Sequence, residues 1–377
     1  MSSAAIADRD PLRPAIVCSL FLLPLVLGLV FWADSSGTPD AAFYRQMIRH
    51  LDEQGFLPLS RLIWYHPGHY LLVWPVYALG KALGLWEDPQ RAISLVNFLS
   101  LGFASVTLHR SFELLFPGRD RSIPLLAGLA LATCPGWLWQ AQDGMSDIVG
   151  HSLVLICAAR LVQHQIRNDC GLRPLFVTGF LAGFAILIRL SSVLFLPMLA
   201  FLLLRVLAGS TDHARRRRVL FGFILGWLTP IACVFTHLLW HYGFEQFAQI
   251  YFGRAEEMPK AEHWQRLPEN LTIWFSRIER GMGPVSLCLA LAGCLGLAAA
   301  GLGRDRLRIL TSRRPLFLCL VLLYVPFLCA VAVNRAPGEF RYQLPAMALL
   351  SLGIPSLGLL LGRCAGAWGP RLLVPLL

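Results

Sequence analysis

A chain of 377 residues that is 56% hydrophobic and only 15% charged, with a mean hydropathy of +0.59, is not a soluble domain. Its formal net charge of +11 does not point to nucleic acid, because the arginines stand between apolar runs, where they set membrane topology. The ten cysteines show no CxxC and no zinc-like spacing, and most lie inside apolar runs, where a thiol behaves as a small apolar group.

In chain order the apolar runs are 15–32, 70–86, 92–108, 122–140, 147–162, 174–188, 190–208, 219–240, 284–302, 316–333 and 343–362. Lipid offers backbone groups no water, so spanning segments satisfy them internally as helices, and the period-2 alternation of a barrel is absent. The expected fold is all-α: a polytopic transmembrane protein of about ten spans in one membrane domain, residues 1–377, with no separate soluble domain. Arg9 and Arg13 precede the first run and no small-residue cleavage site follows it, which predicts a retained signal-anchor.

Arginine clusters at 109–121, 160–173, 211–218 and 304–314 belong on one side, the cytoplasmic one. They share a side only if 70–86 does not cross. That segment is short, carries Pro75 and Lys81, and ends in the acidic "WEDP", so a helix at the membrane surface is expected. Ten crossings then leave both termini inside, with 20 Lys+Arg against 7 Asp+Glu inside and 13 against 15 outside. The reading is of a bacterial inner-membrane protein whose large outer loops are 33–91 and 241–283.

The first outer loop opens with "PDAAFYRQMIRHLDEQG" (39–55). Thr38 is a helix N-cap, Pro39 suits the first helical position and Gly55 closes the helix. Ala41, Tyr44, Ile48 and Leu51 share one face, suited to lying on the membrane. No internal repeat is present.

The order of features resembles the membrane glycosyltransferases of the C superfamily (GT-C), especially the lipid A aminoarabinose transferases and protein O-mannosyltransferases. In that family the first outer loop carries an acidic residue, often Asp-Glu, with a Tyr a few residues on; Asp40 and Tyr44 match, while Ala41 replaces the second acid. "YHPGHY" (65–70) matches the Lys/His-Pro turn before the surface helix, and "AQDGMSD" (141–147) the outer loop with an Asp before the fourth span. "ILIRLSSVLFLP" (186–197) matches the short turn with a cation between two spans, and "EFRYQLPAMALL" (339–350) the Arg-Tyr-x-x-Pro turn near the end.

The resemblance implies inverting transfer of a sugar from a polyprenyl-phosphate donor to a lipid, glycan or protein acceptor at the periplasmic face. An attacking hydroxyl must lose a proton, which calls for a carboxylate base, and the departing phosphate calls for cations. Asp40 is the candidate catalytic base; the competing view is of a first-turn acid that satisfies the helix dipole, and Asp34 is its local rival. Tyr44, His66, Arg189, Arg341 and Tyr342 are the candidates for donor phosphate and substrate binding. Asp147, together with Asp40, is the candidate pair for a divalent cation. Arg189 lies between two apolar runs, where an unpaired charge is costly. Two other readings compete: a lipid-linked sugar flippase or small-solute transporter, and a catalytically degenerate assembly subunit, which the missing acid at Ala41 favours.

Overall fold

Proline marks where the helices begin. The computed structural model describes residues 12–30, 39–55, 67–116, 120–167, 171–208, 212–252, 265, 267–302, 343–366 and 368–377, and among them every regular element is helical. In order come α1 (Leu12–Val30), α2 (Pro39–Gln54), α3 (Pro67–Ala82), α4 (Pro89–Leu115) and α5 (Ser122–Ala132). Next are α6 (Pro135–Gln142), α7 (Ser146–Arg167), α8 (Leu172–Ile188), a 3₁₀ segment (Leu190–Phe195) and α9 (Leu196–Ala208). The chain continues through α10 (His213–Phe252), α11 (Leu267–Met282), α12 (Pro284–Leu302), α13 (Leu344–Ser351), α14 (Gly353–Cys364) and α15 (Trp368–Arg371). Helices α2, α3, α4, α6 and α12 each start on proline, whose fixed φ suits the first turn and whose missing N–H would have lacked a partner there anyway. The Asp88 side chain caps α4, accepting from the Gln90 N–H at 2.9 Å.

Among the described residues, six helical stretches are long and apolar enough to cross a membrane, or eight if two bent pairs each make one span. One pair is α5 and α6, which bend by 44° around Thr133 and Cys134; the other joins the end of α11 to α12 at 107°. Helix α8 is apolar but only 17 residues long. The run expected at 316–333 lies outside the described residues. This is an all-α polytopic membrane protein, as the apolar runs predict.

Helix directions follow from the contacts. Helix α1 runs against α4, with Gly28 at the ring of Phe98 and Gly102 at the Phe21 carbonyl. Helices α4 and α7 run side by side in the same direction: Asn97 reaches the Met145 carbonyl at their starts, and the Gln163 amide donates to Ser111 Oγ at 2.9 Å near their ends. Helix α8 returns along α7 and ends beside its first turn. Helices α8 and α10 pack in close contact: a Cβ at Gly179, Gly183 or Gly226 would collide with the carbonyl of Phe223, Trp227 or Phe176. Four-residue spacing puts Gly179 and Gly183 on one stripe of α8, and Gly226 answers from α10, so the backbones touch, which is the packing that apolar helices need where lipid supplies no hydrophobic drive.

Helix α3 is among neither the spans nor the bent pairs. At about 1.5 Å per residue its 16 residues reach roughly 24 Å, short of the hydrocarbon thickness. Leu79, Leu83 and Leu85 are exposed on it and just beyond it, while Tyr70, Val73 and Tyr77 are buried. The face of α2 expected to lie on the membrane is instead an internal face. Ala41, Tyr44, Ile48 and Leu51 are all buried, the last three in one cluster with Tyr70 and Val73 of α3 and Ile93 and Val96 of α4. The polar ties agree: Asp52 of α2 accepts from Trp74 Nε1 at 3.3 Å and Lys81 Nζ at 2.7 Å.

Candidate active site

The starts of α3, α4 and α7 meet the end of α8 beneath α2. Two glycines let this happen. At Gly68 a Cβ would lie 2.9 Å from Leu187 Cβ, and at Gly150 one would lie 2.9 Å from Arg189 Cβ and 3.3 Å from Ser192 Oγ. The break between α8 and the 3₁₀ segment falls on Arg189, whose backbone is extended (φ −149°, ψ 113°) while its N–H still bonds the Ala185 carbonyl at 2.9 Å.

Arg189 Nε lies 3.0 Å from Asp147 Oδ1, with side chains only 11% and 2% exposed. His151, one turn along α7, brings Nε2 to 4.0 Å from the same oxygen. Separated from water, two such charges attract strongly, but neither tolerates loss of the other. On the α2 side, the Tyr44 hydroxyl and Ser146 Oγ share a hydrogen bond of 3.3 Å, and the Tyr44 ring meets His69 edge to face at 5.3 Å. This ties α2 to the first residue of α7, next to Asp147.

The α6–α7 turn is clamped by α4. The Asn97 amide donates to the carbonyls of Ala141 and Met145, both at 3.2 Å, while Gln90 and Ser94 donate to the Gln142 carbonyl. Gly144 takes φ 83° with Gln90 where a side chain would stand. Burial raises the pKa of Asp143 in this turn. His69 is fully buried; burial pushes its pKa down to about 3, Arg189 adds to the shift and neighbouring Asn97 opposes it. It is therefore neutral at physiological pH, although neither ring nitrogen has a partner at hydrogen-bond distance. Asp147 Oδ2, Asn97 Oδ1 and Ser192 Oγ are likewise buried without a protein partner. Buried polar atoms left so are accounted for by water or a polar ligand.

Of the residues expected from sequence, Tyr44, Asp147 and Arg189 come together here. Asp40 stands in the first turn of α2, four residues before Tyr44 and so on the same face, but its side chain lies outside the described residues, as do His66, Arg341 and Tyr342. Asp147 is paired with a guanidinium rather than grouped with other acids, and among the described residues no three His, Cys, Asp or Glu converge as metal ligands would. Sequence reasoning missed His69, Asn97, Ser146 and Ser192. A start at Pro67 signals that His69 sits in a first helical turn, but nothing in the sequence signals that Asn97 crosses to the α6–α7 turn.

A cavity of about 100 Å³ lies between α4, α7, α9 and the start of α13, walled by residues such as Phe112, Ala158, Met198 and Leu352. His151 lines it too, with Nε2 4.0 Å from Asp147 Oδ1.

Neither the family models nor the curated protein sequences match this chain. Solved structures do. The crystal structure of ArnT from Cupriavidus metallidurans bound to undecaprenyl phosphate is similar with a TM-score of 0.61 at 17% identity, over 94% of this chain and 62% of that one. The oligosaccharyltransferase of Archaeoglobus fulgidus, in complex with Zn and sulfate, is similar with a TM-score of 0.56 at 12% identity, over 96% of this chain and 51% of that one. At such identities the likeness is one of fold, the GT-C fold that the motif order resembles, and this chain spans only about half to three-fifths of their lengths.

Proposed function

We propose that the protein is an inverting glycosyltransferase that takes a sugar from a polyprenyl-phosphate donor at the outer face of the bacterial inner membrane. The observation that carries this reading is the buried Arg189–Asp147 pair, set close to the helix whose first turn holds Asp40 and which carries Tyr44. The fold shared with a structure bound to undecaprenyl phosphate supports that donor class.

In this reading Asp40 takes the proton of an acceptor hydroxyl as its oxygen bonds to the anomeric carbon. The bond from that carbon to the phosphate oxygen breaks, and polyprenyl phosphate leaves with the electron pair. Arg189 receives the negative charge that develops on the phosphate, and His66, Arg341, Tyr44 and Tyr342 are the further candidates for binding the donor. Asp147 holds Arg189, so the reading needs no metal at Asp147; the Zn in the complex of the archaeal neighbour keeps a divalent cation at Asp40 open to direct test.

The test is release of free polyprenyl phosphate by purified protein given a polyprenyl-phosphate sugar and an acceptor extract, with and without EDTA. Asp40→Asn lowers turnover by about 100-fold or more, the usual scale of a lost general base, with unchanged membrane insertion. Full activity in that variant overturns the assignment of the base. Donor movement across vesicles without release of polyprenyl phosphate makes the protein a flippase.

A further inference from the structure

We propose that Asp147 is a positioning residue that competes with the substrate phosphate for Arg189, holding the guanidinium between turnovers and reclaiming it as polyprenyl phosphate departs. The inference rests on the proposed function, in which Arg189 binds the donor phosphate. Its physical basis is the shielding of both ions. A guanidinium 11% exposed, 3.0 Å from a carboxylate 2% exposed, moves away only toward another anion, and phosphate oxygens match its donors as well as a carboxylate does.

The surroundings suit such an exchange. Asp147 Oδ2 is buried without a partner, so the carboxylate is incompletely satisfied even while Arg189 is bound. Ser192 Oγ, packed over Gly150 three residues on from Asp147, is a buried hydroxyl that likewise has no protein partner. The bare Cα of Gly150 leaves room beside Arg189 Cβ, where even a methyl group would come to 2.9 Å. An arginine with no internal competitor would retain the anionic product and slow its release, which is often what limits turnover.

Binding of undecaprenyl phosphate to the full-length protein in nanodiscs tests this. Asp147→Asn tightens binding about tenfold, the ratio for one charge-assisted hydrogen bond that no longer has to be broken. Arg189→Gln weakens binding, and Asp147→Asn adds nothing in the Arg189→Gln background. Tightening that persists in that background means plain repulsion between carboxylate and phosphate, and it overturns the competition. Equal or weaker binding by D147N overturns it as well. Asp147→Ser makes the same comparison if D147N does not yield monodisperse protein; if neither folds, Asp147 is structural and the inference falls. Absence of binding to the wild-type protein sinks the proposed function along with the inference, whereas wild-type binding without tightening in D147N sinks the inference alone.

Discussion

Two triads, each of an acid, an arginine and a histidine, sit at opposite ends of the helix bundle. At one end, Glu113 of α4 meets Arg13 of α1 at 3.2 Å and His109, four residues earlier, at 3.6 Å. At the other, Asp147 meets Arg189 at 3.0 Å and His151, four residues later, at 4.0 Å. The difference lies in satisfaction and solvent. Each Glu113 oxygen has its own partner, and the Glu113 and Arg13 side chains are 28% and 33% exposed, so the first triad is a clasp that holds α1 to α4. In the second, one carboxylate oxygen faces both Arg189 and His151 and the other has no hydrogen-bond partner, away from water. An acid, an arginine and a histidine make a fastening where water shares the charge, and an incompletely satisfied ion pair where it does not.

The largest expected effect comes from breaking the second triad. Arg189→Gln strands the Asp147 charge and destabilises the protein by about 3–5 kcal/mol, seen as a large fall in the thermal transition in detergent. An unchanged transition would mean that water already reaches Asp147. Next, Asn97→Ala removes two hydrogen bonds that hold the α6–α7 turn and costs about 2 kcal/mol, read by the same transition and by faster amide exchange at Met145.

A third effect depends on pH. The pKa of His69 lies near 3 when folded, against 6.5 in the unfolded chain, so below pH 6.5 the unfolded chain binds a proton that the folded one refuses. This residue therefore lowers stability as pH falls from 6.5 toward 3, by on the order of 1 kcal/mol per pH unit. His69→Phe flattens that slope; equal slopes in variant and wild type would place His69 in contact with water. The smallest effect belongs to the clasp. Glu113→Gln costs below about 1 kcal/mol and leaves undecaprenyl phosphate affinity unchanged, because its partners are partly hydrated. A loss as large as that of Arg189→Gln would erase the distinction between the two ends.

Much of the fold is legible in the sequence. Apolar runs bounded by arginine mark the long helices, and prolines 39, 67, 89, 135 and 284 mark where helices begin, because both signals are local. The site is legible in part. Tyr44, Asp147 and Arg189 are singled out by motif order, but the pairing of Asp147 with Arg189 is not, since 42 residues separate them and charge alone names no partner. Helix α2 shows the same limit. Its apolar face is plain from the spacing of Ala41, Tyr44, Ile48 and Leu51, yet that face covers protein rather than lipid.

The sequence alone determined an all-helical membrane protein, the extent of most of its helices and the amphipathic character of the segment that opens with Asp40. Tertiary structure alone decided what each apolar face touches and which buried charges meet. The physical reason is that hydropathy measures only the removal of side chains from water, and a lipid tail and a neighbouring helix remove them equally well. Which polar groups are then brought together depends on how the helices cross, a matter settled by glycine contacts such as those of Gly68 and Gly150 with the 187–192 break.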